Sequence, residues 1–474
     1  MREHFSKGLY GKLLTQTDNV VMYDMFNKSQ THNPNYLASV VKLQGVRKHA
    51  NADRLQNVSL FGNNVITGMD AKDGDLYVYF PLESAISKEF LSYTNSFRDA
   101  TLNADSSKKG MFEQHGRVRC ARIRGERSEG YMVPVSQLEA FAKDVLNQKI
   151  SITEKDVGSD FDLFFDHSLC KKYIPKGMRT SGEGGKKKTK GNVKKYASKL
   201  VENQFHFHQD TSHLKREMHR VSPDDYISVT EKLHGCNFIV SNVLVKRKLS
   251  FIDKISKFFG ANISETEYGM LYSSRAVIKN SVMDDGKENN HFYDSDIWKI
   301  VADKIFPSLA QGISVVGEIV GYTPSGQYIQ KGYDYGCSPG NLDFWIFKVT
   351  HTSPCGKVYV FNHRETVEFC GKFGFKMPQT HYYGKAKDYF PEISTETHWH
   401  DNFLQKMIDT HLEKKCTLCK NDVWAEGVIL RRDTPFEWDA FKLKSFNFLE
   451  GESKQLDSGE VDMETAEAEQ KDGE

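Results

Sequence analysis

The sequence predicts an α+β protein: an N-terminal β-barrel, then a larger domain of antiparallel sheets with flanking helices. Three observations carry this. Residues 37–86 alternate apolar and polar side chains between Gly, Asn and Asp turns, as the short strands of a small barrel do, and "VRCARIRGERSEGYMVP" downstream supplies a closing strand. Residues 171–200 then hold 11 Lys/Arg against one Glu, with glycines that interrupt regular structure. From about 205 the pattern becomes β stretches interspersed with helical ones such as "DSDIWKIVADKIFPSLA", which reads as α+β.

Domain boundaries follow: 1–150 for the barrel, 151–204 for a basic linker, 205–450 for the mixed domain and 451–474 for a tail. The tail carries nine acids and two lysines, a balance of −7, so the net charge of +1 hides a basic body. The tail is expected to be disordered. The basic segment is either a solvated linker or a footprint for a polyanion.

With 474 residues, 39% hydrophobic and 27% charged, the composition is that of a soluble globular protein of two or three domains. Apolar runs fall short of the ~18 residues of a membrane span. The first 20 residues lack the apolar core of a secretory signal. Eight cysteines are scattered and only Cys416 and Cys419 form a CxxC, which fits a reducing compartment. The expected location is the cytoplasm (a host's cytoplasm for a viral chain). His398 and His400 raise a Cys2His2 site, but two reduced thiols in a turn is the preferred reading.

Residues 231–240 read "EKLHGCNFIV". A KxxG alone is weak, since "KLQG", "KTKG" and "KFFG" occur elsewhere. Lys232 stands out through the series that follows. "SSRAVI" gives Arg275, "VVGEIVGY" gives Glu318, "FWIFKV" is an aromatic strand, "AEGVIL" gives Glu426, and "AFKLKS" gives Lys442 and Lys444. Each charge sits in or beside an apolar β-like stretch, as residues at strand ends around a cleft do.

The order KxxG, GE, aromatic strand, EG, KxK resembles the covalent nucleotidyltransferases, namely polynucleotide ligases and mRNA capping enzymes. The His, Gly and Asn of "EKLHGCNF" look like the second class of ATP-dependent RNA ligases. "VRKHANADRL" with "VRCARIRGERSEGYM" resembles the OB-fold tRNA-binding module, over residues 37–135. An OB-like module before the catalytic domain is similar to one branch of RNA ligases. DNA ligases and capping enzymes instead carry an OB domain after the KxK motif, where only about 30 residues remain here. A third alternative is a non-catalytic RNA-binding protein on a ligase fold.

The resemblance implies roles residue by residue. Lys232 would attack the α-phosphorus of ATP to form lysyl-AMP, with Lys442 and Lys444 compensating phosphate charge. Glu231 would contact adenine through its backbone, while Asn237, Arg275, Glu318 and Phe344 (or Phe347) line the nucleotide pocket. Glu426, and Glu318 with it, would hold Mg2+, or Mn2+ in its place. His234 falls on the substrate side. Lys348 departs from the pattern, standing where relatives carry an acid. The implied substrates are 3′-OH and 5′-phosphate RNA ends in RNA repair: a nicked duplex, a cleaved tRNA or an RNA/DNA hybrid. No membrane partner is expected.

Overall fold

The computed structural model describes residues 24–174, 198–275, 277–280 and 295–458. Most of the basic segment and residues 459–474 therefore lie outside the described residues.

The N-terminal strands fall where the alternation puts them: β1 (Ala38–Lys42), β2 (Gln56–Leu60), β3 (Asn63–Thr67) and β4 (Leu76–Phe80). The stretch expected to supply one closing strand supplies three: β5 (Cys120–Ile123), β6 (Glu126–Glu129) and β7 (Tyr131–Pro134). Among the described residues these do not close a barrel. One sheet runs β7-β4-β1-β8, with β8 being Asp160–Phe161, while β2-β3 and β5-β6 belong to separate ladders. The seam between β3 and β6 is bridged by side chains: the Asn64 amide donates to the Arg127 carbonyl, and the Ile66 N–H reaches Ser128 Oγ at 3.5 Å. The expectation of a closed barrel is corrected on this point. The region also extends past 150, because β8 and β9 (Cys170–Lys172) pair with Ala38–Ser39 and Ser84–Ile86.

The second region holds two five-stranded sheets. The first runs β10 (Ser212–His213), β19 (Asp439–Lys444), β18 (Gly427–Arg432), β11 (Tyr226–Lys232) and β17 (Thr380–Lys385). The second runs β13 (Thr266–Ser273), β12 (Cys236–Lys246), β14 (Ile313–Gly321), β15 (Leu342–Thr352) and β16 (Val358–Val360). Pairing is antiparallel throughout except β10 with β19.

Each sheet buries one face under helices. Ile297–Ile305, capped by Asp296, brings Ile297, Trp298 and Val301 against Phe238, Val240 and Val315. His363–Phe373 begins with an Asn362/Glu365 capping box and ends at Gly374 in the left-handed region, φ 68°, and the N-cap alone contributes about 1 kcal/mol. Trp399–His411 packs Trp399, Phe403 and Met407 onto β11 and β18. The opposite faces of the two sheets are left to line a cleft.

A last helix, Phe446–Asp457, follows β19 directly, so the acidic segment from 451 starts as helix. It docks on the N-terminal region: buried Arg117 forms ion pairs with Glu83 at 2.8 Å and Asp457 at 3.3 Å. Arg216 reaches Asp160 at 2.8 Å and Lys215 reaches Glu129 at 3.1 Å. Among the described residues no helix is long and apolar enough to cross a membrane.

Candidate active site

The two sheets face each other across a pocket. From the first come Thr230, Glu231, Lys232, Arg431, Lys442 and Lys444; from the second, Asn237, Glu318 and Phe347, with Arg275 just beyond β13. Lys232 ends β11 and pairs with Gly427 on β18. The chain then reverses through Gly235 into β12. A Cβ on Gly235 would stand 2.7 Å from the Ile319 carbonyl oxygen, so only glycine lets this loop lie against β14. Gly427 is held at φ 138°, with a Cβ position 2.0 Å from the Leu443 carbonyl oxygen. The glycines of KxxG and EG are thus demanded by backbone packing, which fixes the neighbouring Lys232 and Glu426.

Lys232 Nζ and Lys444 Nζ each lie 2.8 Å from Glu426 Oε1. Burial pushes the Glu426 carboxyl up, but Lys232 and Lys444, with His234 farther off, hold it at about 2. Burial likewise opposes the charge of Lys444, which Glu426 and Glu452 restore and raise. Lys442 is pushed down to about 8 by burial, against the pull of Asp210. Asp210, an acid the motifs did not flag, accepts from Arg275 at 2.8 Å, Lys442 at 3.3 Å and Asn33 at 3.0 Å. Burial raises its carboxyl, yet Lys442 and Arg275 carry it well below the carboxylate range.

Asn237 and Glu318 are cross-strand partners on β12 and β14, and both line the pocket. Asn237 is 4% exposed and its Oδ1 has no hydrogen-bond partner, an acceptor left for a donor from outside the chain. Glu231 lines the pocket, with its carboxylate 3.1 Å from His381 Nε2 and its N–H donating to the Gln379 carbonyl at 2.9 Å.

The expectation for Phe344 changes. Phe344 does not line the pocket: it is buried in the helix-covered core, edge-on to Phe238. The β14–β15 register shifts at Val316/Gly317, leaving Phe347 without a partner, and this bulge turns Phe347 toward the pocket instead. There Phe347 meets His208 and Trp438, forming an aromatic wall. Burial and the Lys348 charge keep the His208 ring neutral. His234 also lies outside the lining; it sits edge-on to Tyr333 and Phe448 behind Glu426, with Nδ1 3.9 Å from Glu426 Oε2. Lys348 packs its ammonium 5.2 Å over the Trp438 ring and is lowered to about 8 by burial.

Two further lining residues come from the N-terminal region: Tyr36, and Lys172 on β9. No motif singles out Tyr36, and Lys172 is marked only as one of the 11 basic residues of 171–200. Cys416 and Cys419, with sulfurs 3.5 Å apart, lie behind the site near Tyr333 and Trp424. His400 faces the Val221 carbonyl. Among the described residues no three His, Cys, Asp or Glu side chains gather as a metal cluster. Of the two acids expected to hold a divalent ion, Glu318 lines the pocket, while Glu426 is buried against Lys232 and Lys444 and is not among the lining residues. Ionised, buried Glu426, whose Oε2 has no hydrogen-bond partner, suits that role.

Residues 225–446 match the RNA ligase family. This segment holds Lys232, Arg275, Glu318, Glu426, Lys442 and Lys444, while Asp210 and the N-terminal lining residues precede it. No curated protein matches the chain by sequence. Among solved structures, a point mutant of the Naegleria gruberi RNA ligase with ATP and Mn is 16% identical with a TM-score of 0.53, covering 88% of this chain and 99% of that one. A second mutant of the same ligase, also with ATP and Mn, is 15% identical with a TM-score of 0.52, covering 89% and 99%. A third structure, of the Naegleria gruberi RNA ligase with PPi, is 15% identical with a TM-score of 0.50, covering 88% and 99%. At this identity the likeness is one of fold, and it spans both regions. The cleft-bearing segment is the part of the chain that matches the RNA ligase family model.

Proposed function

We propose that this chain, whose residues 225–446 match the RNA ligase family, is an ATP-dependent RNA ligase that joins a 3′-OH to a 5′-phosphate through lysyl-AMP. The observation that carries the reading is Lys232 beside buried, ionised Glu426 and Lys444, in a pocket that also has an aromatic wall.

In the first step Lys232, after its ammonium proton passes to water, directs the Nζ lone pair at the α-phosphorus of ATP. A P–N bond forms, the bond from that phosphorus to the bridging oxygen breaks, and pyrophosphate leaves with the electron pair. The base lies along Phe347, where stacking contributes about 1–3 kcal/mol. Asn237 Oδ1 accepts from the nucleoside. Lys442, Lys444 and Arg275 carry the phosphate oxygens, displacing Asp210 from two of them. Glu426 would hold a divalent ion, which when bound would add charge compensation at the phosphates.

AMP then passes from Lys232 to the RNA 5′-phosphate as a new pyrophosphate linkage. The 3′-OH finally attacks that 5′-phosphorus, forming the phosphodiester and releasing AMP. Positioning and fixed charge do most of this work. The substrates are RNA ends of the kind RNA repair presents: a nicked duplex, a cleaved tRNA or an RNA/DNA hybrid.

The test is incubation with α-labelled ATP or GTP and a divalent ion, then denaturing electrophoresis and sealing of nicked RNA. Acid-labile label from ATP, absent in Lys232→Ala, is the expected result. Label from GTP alone would make the chain a capping-type transferase, and no label would leave a non-catalytic RNA-binding protein.

A further inference from the structure

Between β12, which ends at Lys246, and β13, which starts at Thr266, the chain leaves the sheet and forms the helix Phe251–Phe258. A capping box starts it: the Ser250 N–H donates to Asp253 at 2.9 Å, and the Asp253 N–H donates to Ser250 at 3.1 Å. Yet no residue of this helix is buried. Phe251, Ile252, Phe258 and Phe259 are 78, 74, 85 and 80% exposed, and Ile255 is 41% exposed. At about 100° per residue these five fall within an arc of about 120°, one apolar stripe. Three phenyl rings and two isoleucines exposed to this extent present on the order of 600 Å². That matches the largest apolar patch of an ordinary soluble monomer, and such a patch marks an interaction site.

The charge around the stripe says what covers it. Residues 246–265 hold five Lys/Arg and two acids, a balance of +3. Lys254 and Lys257 project from the polar side of the helix, and Lys246, Arg247 and Lys248 lead into it. Both acids are engaged within the segment, Asp253 with Arg247 at 3.4 Å and Glu265 with Lys257. A fitting partner therefore combines negative charge with apolar depth. The acidic segment 459–474 brings the charge, but Val461 and Met463 are its only large apolar side chains. A second copy brings an apolar stripe, but sets the same +3 against itself. RNA brings phosphates and bases to stack on the rings, but nothing for Ile252 and Ile255. An anionic bilayer brings charge at its surface and acyl chains beneath.

We propose that the helix Phe251–Phe258 docks the protein on an anionic membrane surface. It lies in the plane of the interface, with its stripe against the acyl chains and its lysines among the headgroups. A helix in this position needs no apolar run long enough to span the bilayer. The docking surface is also remote from the pocket. β12 begins at Cys236, just past the Lys232 loop, and its eleven residues cover about 36 Å before the chain turns toward the helix.

The test is flotation of the full chain with vesicles of phosphatidylcholine alone and of an equal mixture of phosphatidylcholine and phosphatidylserine. Wild type is expected to float with the mixed vesicles only, and to be released as added salt screens the surface charge. Changing Phe258→Ser and Phe259→Ser together should weaken vesicle binding at least ~10-fold, from the lost transfer of two phenyl groups. Changing Lys248→Gln and Lys254→Gln together should weaken it ~10-fold. Both variants should melt at the wild-type temperature, because all four side chains are exposed. Wild type that stays behind with mixed vesicles, or a Phe variant that floats as well as wild type, would overturn the proposal. So would light scattering that finds wild type dimeric and the Phe variant monomeric, which would give the stripe to a second copy. Loss of RNA affinity in the Phe variant without loss on vesicles would overturn it in favour of RNA. Flotation involves neither ATP nor Lys232, so its outcome is independent of the ligase reading.

Discussion

The chain before residue 175 and the chain after 225 reach the same pocket by different routes. After 225, Lys232, Glu318, Glu426 and Lys444 occupy strands and strand ends that converge through sheet pairing, and each is announced by a local motif. Before 175, Tyr36 and Lys172 arrive only because the two regions dock through Arg117, Arg216 and Lys215. Chemistry fixed by local backbone is written in short motifs. Chemistry supplied by docking is spread over residues far apart in the chain.

The sharpest break of this comparison is at Lys232. Lys232→Ala should abolish labelling by ATP, and Lys232→Arg should do the same because a guanidinium stays protonated. Acid-labile AMP retained on either variant, located by peptide mapping, would move the nucleophile elsewhere.

Glu426→Gln should lower lysyl-AMP formation ~10²–10³-fold. It should also destabilise the fold, since Glu426 is 3% exposed between two lysines. A carboxyl held at about 2 rather than its usual 4.5 contributes on the order of 3 kcal/mol. Because the folded value is depressed, that contribution is complete above pH 4.5 and is lost as pH falls toward 2. Urea unfolding of wild type should weaken across this window, and the Gln variant should show a flatter response.

On the docking side, Arg117→Ala strands Glu83 and unties Asp457, a buried break expected to cost about 3–5 kcal/mol. Differential scanning calorimetry reads the loss. If lysyl-AMP formation survives that variant at full rate, the Arg117 tie is dispensable for the first step, since Arg216 and Lys215 still hold the regions together.

Within the chain after 225, Phe344 and Phe347 divide packing from the pocket wall. Phe344→Ala should lower stability by about 3–5 kcal/mol. Phe347→Ala should instead raise the KM for ATP ~10-fold with a smaller change in melting. The smallest effect belongs to Lys186, Lys187 and Lys188, which lie outside the described residues. Changing all three to Gln should reduce the salt dependence of RNA binding by up to about three phosphate contacts.

Much of the chain after 225 is legible because its motif glycines and charges answer to close backbone neighbours, as Gly235 and Gly427 do. Phe344 is misassigned from sequence because strict alternation cannot foresee the bulge that leaves Phe347 facing the pocket. His234 has the polarity of a substrate contact, but aromatic rings take its faces. In the N-terminal region the strands are legible from alternation, while barrel closure is not, because side chains of Asn64 and Ser128 stand in for a ladder. Asp210 carries no local signature and Lys172 only that of its basic segment, since their partners are set by tertiary contact.

The helix Phe446–Asp457 begins two residues after Lys444 and ends on Arg117 and Arg119. Twelve helical residues make a rod of about 18 Å, too short to bend appreciably. It works as a lever, fixed at one end to the lysine beside Glu426 and at the other to the N-terminal region. A tilt of that region tugs on the strand carrying Lys442 and Lys444. Force applied at either end of the lever is therefore carried to Lys444 and its contact with Glu426.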